Sequence, residues 1–330
     1  LQETNRILQG LGIPHSALLS IIFGMMLLSF PIGAYVFFNS DIGRDITHEY
    51  PLGYADSAFA PLLETVPFEV GLGDVFIVIW SAFVILFAVG MLGPKQNFIR
   101  TLVPILSFGR DSSSNYLVSV LKWFGVLVFA SAVIDLVQGG FGITMEPPDF
   151  GNDLTRFFAA SLAPFVEEIG FRVILVGLPL YAMFYRRASL RGLISSLWHP
   201  FSNLDVTDSK RVLALVVGAG VLFGLAHVLL EDSWSGGKLT QAAVGGVIVG
   251  WVYYRHGLLA AIMLHWATNY FVFSYVYFVA FLNDVSASDA YSHSLLGVLE
   301  LLFVASGAVS LAFLIASHYR PGASGDLEAS

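Results

Sequence analysis

The stretch Pro164 to Arg172, PFVEEIGFR, sets two adjacent glutamates and an arginine inside a long apolar segment. Charged side chains at mid-bilayer cost about 2.5 to 3.5 kcal/mol each on insertion scales, so three within six residues need compensation and a purpose. Glu168 and Arg172 are four apart, share a helix face and can pair. Glu167 lies about 100 degrees further round and stands outside that pair. Taken alone, the stretch fits either a catalytic group or an ion pair that fixes helix register beside a protonated glutamate. Two further apolar segments shift the balance. One carries FGLAH, with Phe223 and His227 four apart, and the other HWATN, with His265 and Asn269 four apart. Two glutamates, two histidines and an asparagine supply a base, proton shuttles and hydrogen-bond donors without a serine or cysteine nucleophile. Such a set suits activation of water against a carbonyl.

These side chains need helices that lie in lipid. Of the 330 residues, 56% are hydrophobic and 12% charged, against about 25% charged in an ordinary soluble domain. The few charges are bunched between long apolar runs, so the surplus apolar surface must face something other than water. A spanning helix takes about 20 mostly apolar residues. Segments of that kind fall at 16-38, 74-93, 116-140, 154-184, 212-231, 239-254, 258-282 and 295-317. The expected fold is therefore all-α, a polytopic membrane helical bundle of about eight transmembrane helices. The first segment is too long for a signal-peptide core and lacks a clear small-residue cleavage site, so it reads as a retained span. The chain divides into a three-span region, 1-153, a core carrying the polar residues, 154-283, and a last span with its tail, 284-330.

Lysine and arginine in the connections set the orientation. One side holds Arg6, Lys95, Arg100, Arg110, Arg186, Arg187, Arg191, Lys210, Arg211, Arg255 and Arg320, while the opposite side holds Arg44, Arg156 and Lys238. Both termini are thus expected in the cytoplasm, with the chain an integral, multi-pass protein of a prokaryotic cell membrane. The net charge of −8, with acids gathered between Asp41 and Asp74 and in the tail, argues against nucleic acid as a partner. The absence of cysteine removes disulfides and thiolate metal sites. In the fourth connection, LRGLISSLWHPF places Leu190, Leu193, Ile194, Leu197, Trp198 and Phe201 at helical spacing beside Arg186, Arg187 and Arg191. It reads equally as an interfacial amphipathic helix and as a segment packed under the bundle. Gly220-x-x-x-Gly224 and Gly246-x-x-x-Gly250 predict close helix packing.

The ordered motifs EEIGFR, FGLAH and HWATN on successive spans resemble those of the CAAX prenyl endopeptidase and bacteriocin-processing family of intramembrane proteases, also called the CPBP or Abi family. The resemblance covers about 154-283, and the count of eight spans also matches the prenyl endopeptidase branch. It implies an intramembrane endopeptidase acting on a membrane peptide or lipid-anchored protein substrate, among membrane lipids. It also implies roles. Glu167 would be the general base, His227 would orient the water, and Glu168 would steady the site through Arg172 and a histidine. His265 and Asn269 would donate to the oxyanion, with Phe223 packing beside them. The family has been described both as glutamate-type and as metal-dependent. His227, His265 and Glu168 would be the candidate ligands for Zn2+, although HVLLE at 227-231 lacks the H-E-x-x-H spacing.

Counted from the cytoplasmic ends at about 1.5 Å per residue, Glu168 and His227 lie about 24 Å deep but His265 only about 11 Å. Either the RHG turn before the seventh span is recessed or the helices tilt differently. Three other readings stand beside the protease. GLGD at Gly71 to Asp74, with Asp135, matches the short signature of aspartyl intramembrane proteases, but Asp74 at a helix start is ordinarily a cap. A non-catalytic scaffold or a self-immunity or regulatory protein would retain the same pocket. A proton-coupled transporter would use the same buried groups, although no corresponding pair of short spans is evident.

Overall fold

The computed structural model describes residues 6–39, 71–109, 115–145, 153–185, 189–229 and 234–318. Arg44, Arg110, Arg186, Arg187 and Arg320 of the charge tally lie outside them, as does most of the acidic stretch from Asp41. The described residues form a helical bundle without a strand. In chain order the helices are α1 (Arg6–Asn39), α2 (Leu72–Leu92), α3 (Phe98–Phe108), α4 (Tyr116–Gly140), α5 (Asp153–Glu167), α6 (Leu178–Phe184), α7 (Leu190–Trp198), α8 (Pro200–Asn203), α9 (Ser209–Leu229), α10 (Lys238–Trp266), α11 (Val272–Asn283), α12 (Ala287–Ala290) and α13 (Ser294–His318). Two π-helical stretches, Glu168–Gly177 and Ala267–Phe271, run without interruption between α5 and α6 and between α10 and α11.

By length and composition, six of these segments can cross a membrane. The difference from eight has two sources. Lys238–Asn283 counts as one segment of 46 residues, although Gly257 breaks it at φ 85°. The run from α5 to α6 does not qualify, because Glu167, Glu168 and Arg172 sit in its middle. The chain is an integral, multi-pass membrane protein. The short apolar helix α3 has no counterpart among the expected segments. Asn97 caps its start by accepting from the Arg100 N–H, and left-handed Gly109 closes its end.

The stretch Leu259 to Ala267 is buried on every side, as expected of a helix at the centre of a bundle. One wall of its surroundings is aromatic. Trp266 stacks on Phe30 and Tyr270, and Tyr270 on Phe157. This packing fixes the rotation of the central helix, because Trp266 and Tyr270 occupy the aromatic side and leave His265 and Asn269, one residue earlier in each pair, for another.

The glycine spacing does what close packing requires. A Cβ on Gly246 would lie 2.9 Å from the Gly220 Cα, and one on Gly224 would lie 2.7 Å from the Leu239 carbonyl oxygen. Backbone contact of this kind holds α9, with His227, against the first half of α10.

The amphipathic segment packs against the bundle and keeps one apolar stripe exposed. Ser189 caps α7 by accepting from the Gly192 N–H at 3.0 Å. Gly192 and Ser196 turn inward, while Leu190, Ile194 and Trp198 form an exposed apolar stripe at i, i+4 and i+8. Beneath the bundle, the Tyr253 hydroxyl donates to the Leu197 carbonyl at 2.8 Å, and the Arg255 guanidinium covers the Phe201 ring at 3.8 Å. His199, in the same segment, titrates below the ordinary histidine value because burial and the nearby Arg255 disfavour its charged form, against a backbone hydrogen bond that favours it.

Candidate active site

Glu168 is fully buried and Arg172 nearly so, with Arg172 Nη1 3.1 Å from Glu168 Oε1. The same oxygen accepts from His265 Nδ1 at 2.8 Å. This contact corrects the depth expected for His265, which stands level with Glu168. The reason is the recessed turn at Gly257. Its left-handed backbone accepts no side chain easily, and a Cβ there would meet the Trp198 carbonyl oxygen at 2.7 Å. The α7–α8 segment therefore covers the turn from below, and the helix after it begins deeper than a count from the bundle's edge implies.

With Nδ1 committed to a carboxylate, His265 presents Nε2 toward Glu167 Oε2, 3.7 Å away. The chain of contacts runs from Arg172 through Glu168 and His265 to Glu167. Phe223 closes it from the side, with the Arg172 guanidinium 4.4 Å from its ring centre and the His227 ring at 4.5 Å. His227 Nδ1 lies 2.8 Å from the Phe223 carbonyl. A carbonyl only accepts, so Nδ1 carries the hydrogen and Nε2 is left with a lone pair. His227 lies within electrostatic reach of both Glu167 and His265.

Asn269 is placed by a proline. Pro164 has no N–H, so the Ala160 carbonyl lacks its helical partner, and Asn269 Nδ2 donates to that carbonyl at 3.2 Å. An amide carries two hydrogens, which leaves one for another acceptor. Thr268, which the motif reading passed over, donates to the His265 carbonyl at 2.8 Å and steadies the π turn. The i→i+5 pattern there and at Glu168–Gly177 is of a kind often found at functional sites.

Glu167, Arg172, His227, His265 and Asn269 line a cavity of about 790 Å³. Glu168 lies behind it and orients His265. Lys238, also on the lining, donates from Nζ to Gln241 Oε1 at 2.8 Å and covers the Trp234 ring at 4.4 Å. All six residues expected at the site thus converge. Lys238, Trp234 and Gln241 were missed, since a cation at a helix start carries no motif.

Two of the candidate zinc ligands are joined to each other. Glu168 is engaged by Arg172 and His265, and His265 Nδ1 by Glu168. Among the described residues no three His, Asp or Glu side chains are grouped to hold an ion. The two aspartates of the GLGD reading have separate partners. Asp74 accepts from the Gly71 N–H at 3.0 Å at the start of α2, and Asp135 accepts from Gln241 at 3.4 Å.

Residues 153–271 match the family described as type II CAAX prenyl endopeptidase Rce1-like. This segment is similar to the Rce1-like family. The match spans all three motifs and the helices that bring them together, and it supports, in general terms, a CAAX protease-type membrane enzyme. No curated protein and no solved structure matches the chain. Within the Rce1-like segment, the contacts from Arg172 to Glu167 join α5 and its π stretch to the end of α10.

Proposed function

We propose that this protein hydrolyses a peptide bond of a membrane-held or lipid-anchored peptide by water activated at Glu167. The observation that carries the reading is the bridge made by His265, with Nδ1 on Glu168 and Nε2 facing Glu167 across the cavity wall. The Arg172–Glu168 pair holds the imidazole in one orientation, as a carboxylate behind a histidine does in other hydrolases. The Glu167 carboxylate takes a proton from water as the water oxygen bonds to the scissile carbonyl carbon. His227 Nε2 accepts a hydrogen bond from the same water and fixes its approach.

The oxyanion takes the second amide hydrogen of Asn269. It takes another from His265 Nε2 when that ring carries both protons, a form in which Glu167, Glu168, Arg172 and His265 sum to zero charge. The carbon–nitrogen bond then breaks as Glu167 returns its proton to the leaving amine. The proposed step passes through no covalent intermediate.

Loss of a positioned base costs about 10²- to 10⁴-fold in rate. Glu167→Gln in purified protein should therefore lose at least about 10²-fold of its peptide cleavage while unfolding at the wild-type temperature. Wild-type rates in that variant would exclude Glu167 as the base. A folded protein that cleaves no peptide would favour the scaffold reading.

A further inference from the structure

The connections of the bundle sort into two faces. On the first, α1 begins against the end of α3, where Gly109 packs on Leu8. The His15 ring stacks on Phe313 near the end of α13, and the α7–α8 segment covers the Gly257 turn. On the second, Gln138 Nε2 donates to the Gly237 carbonyl at 3.0 Å and Ser235 Oγ to the Thr144 carbonyl at 3.2 Å. Tyr291, between α12 and α13, interacts there with Arg156 and Asp153 at the start of α5.

Among the described residues, the lining of the cavity reaches only one of these faces. Its deep end is walled by Arg172 and Val249, and its described connection residues, Met145, Trp234, Ser288 and Tyr291, all belong to the second face. Met145, Ser288 and Tyr291 are exposed. No described residue of the first face's connections lines it. Charge separates the faces in the same way, since among the described residues Arg6, Lys95, Arg100, Arg191, Lys210, Arg211 and Arg255 lie toward the first and only Arg156 and Lys238 toward the second. Basic connections stay in the cytoplasm. We infer that the cavity opens at the extracytoplasmic surface and that its substrate is a peptide segment presented from that side, rather than one arriving from the cytosol.

This inference rests on the hydrolytic reading for the word substrate, and on geometry and charge for the side of access. The chain contains no cysteine, so one introduced thiol is a unique reporter. Ser288→Cys reports the mouth of the cavity, and Ser202→Cys, exposed in α8, reports the opposite face. A membrane-impermeant maleimide applied to intact cells should label Ser288→Cys and leave Ser202→Cys unlabelled until the cells are permeabilised. The reverse pattern overturns the proposal.

The second arm follows an internally quenched, lysine-containing peptide that does not cross bilayers. Right-side-out vesicles should cleave it and Glu167→Gln vesicles should not, whereas cleavage by inverted vesicles alone overturns the proposal. Detergent solution opens both faces, so absence of cleavage there counts against the hydrolytic reading, while the labelling result still decides the side of access.

Discussion

Removing Arg172 tests the clamp most directly. In Arg172→Met, Glu168 loses the guanidinium 3.1 Å from Oε1 and keeps only His265 on that oxygen, while Oε2 has no hydrogen-bond partner to begin with. Both side chains are almost wholly shielded, at 2% and 0% exposure, so solvent screening offers little relief. Breaking a buried pair from one side costs about 3 to 5 kcal/mol.

The expected loss is therefore about 3 to 5 kcal/mol. The double variant Glu168→Gln/Arg172→Met leaves no orphaned charge and should recover at least about 2 kcal/mol of the loss, a non-additivity expected of contacting groups. Unfolding of the wild type, the single variants Arg172→Met and Glu168→Gln, and the double variant in one detergent measures all of this. A loss below about 1 kcal/mol in Arg172→Met, or a double variant no more stable than that single one, would refute the buried clamp.

Three other substitutions follow from particular contacts. Gly257→Ala forces a side chain into the left-handed region and against the Trp198 carbonyl, so it should cost at least about 1 to 2 kcal/mol; because the turn sets the level of His265, cleavage should fall more than stability does, in parallel rate and unfolding measurements. Pro164→Ala gives the Ala160 carbonyl back its helical N–H and frees Asn269, so kcat should drop by about tenfold or more in a protein at least as stable as wild type, read from steady-state rates beside thermal unfolding. Gly246→Leu should separate α9 from α10 at the Gly220 contact and destabilise by about 1 to 3 kcal/mol, seen as a lower unfolding temperature.

Much of this site is legible from the sequence because its signals are energetic. Charges in an apolar segment stand out by cost, and four-residue spacing survives most distortions of a helix, so Glu168 with Arg172 and Phe223 with His227 can be paired before any coordinates. The glycine spacing is legible for the same reason, since small residues on one face have few other uses in lipid. What escapes is register. A count at 1.5 Å per residue assumes one helix type and a known starting level, and the segment bearing His265 violates the second condition at Gly257. The pairing of Asn269 with Ala160 escapes because it depends on a hydrogen bond that Pro164 does not make, a signal that appears only once the neighbouring helix is known. Lys238 escapes because a single cation at a helix start has too many ordinary explanations.

Both π stretches and the Gly257 break fall on the two segments that carry most of the chemistry, while prolines also lie inside α1 and α3. Pro164 and the π stretch Glu168–Gly177 fall on the segment of the glutamates. Gly257 and the π stretch Ala267–Phe271 fall on the segment of His265 and Asn269. His227, by contrast, sits on an uninterrupted α-helix whose place is set by glycine contacts. Irregular backbone in lipid survives only where its polar groups find partners inside the protein. Here the Ala160 carbonyl finds Asn269 and the His265 carbonyl finds Thr268. The irregularity and the site thus stabilise each other: the broken helices turn the polar side chains toward one cavity, and those side chains satisfy the backbone that the breaks expose.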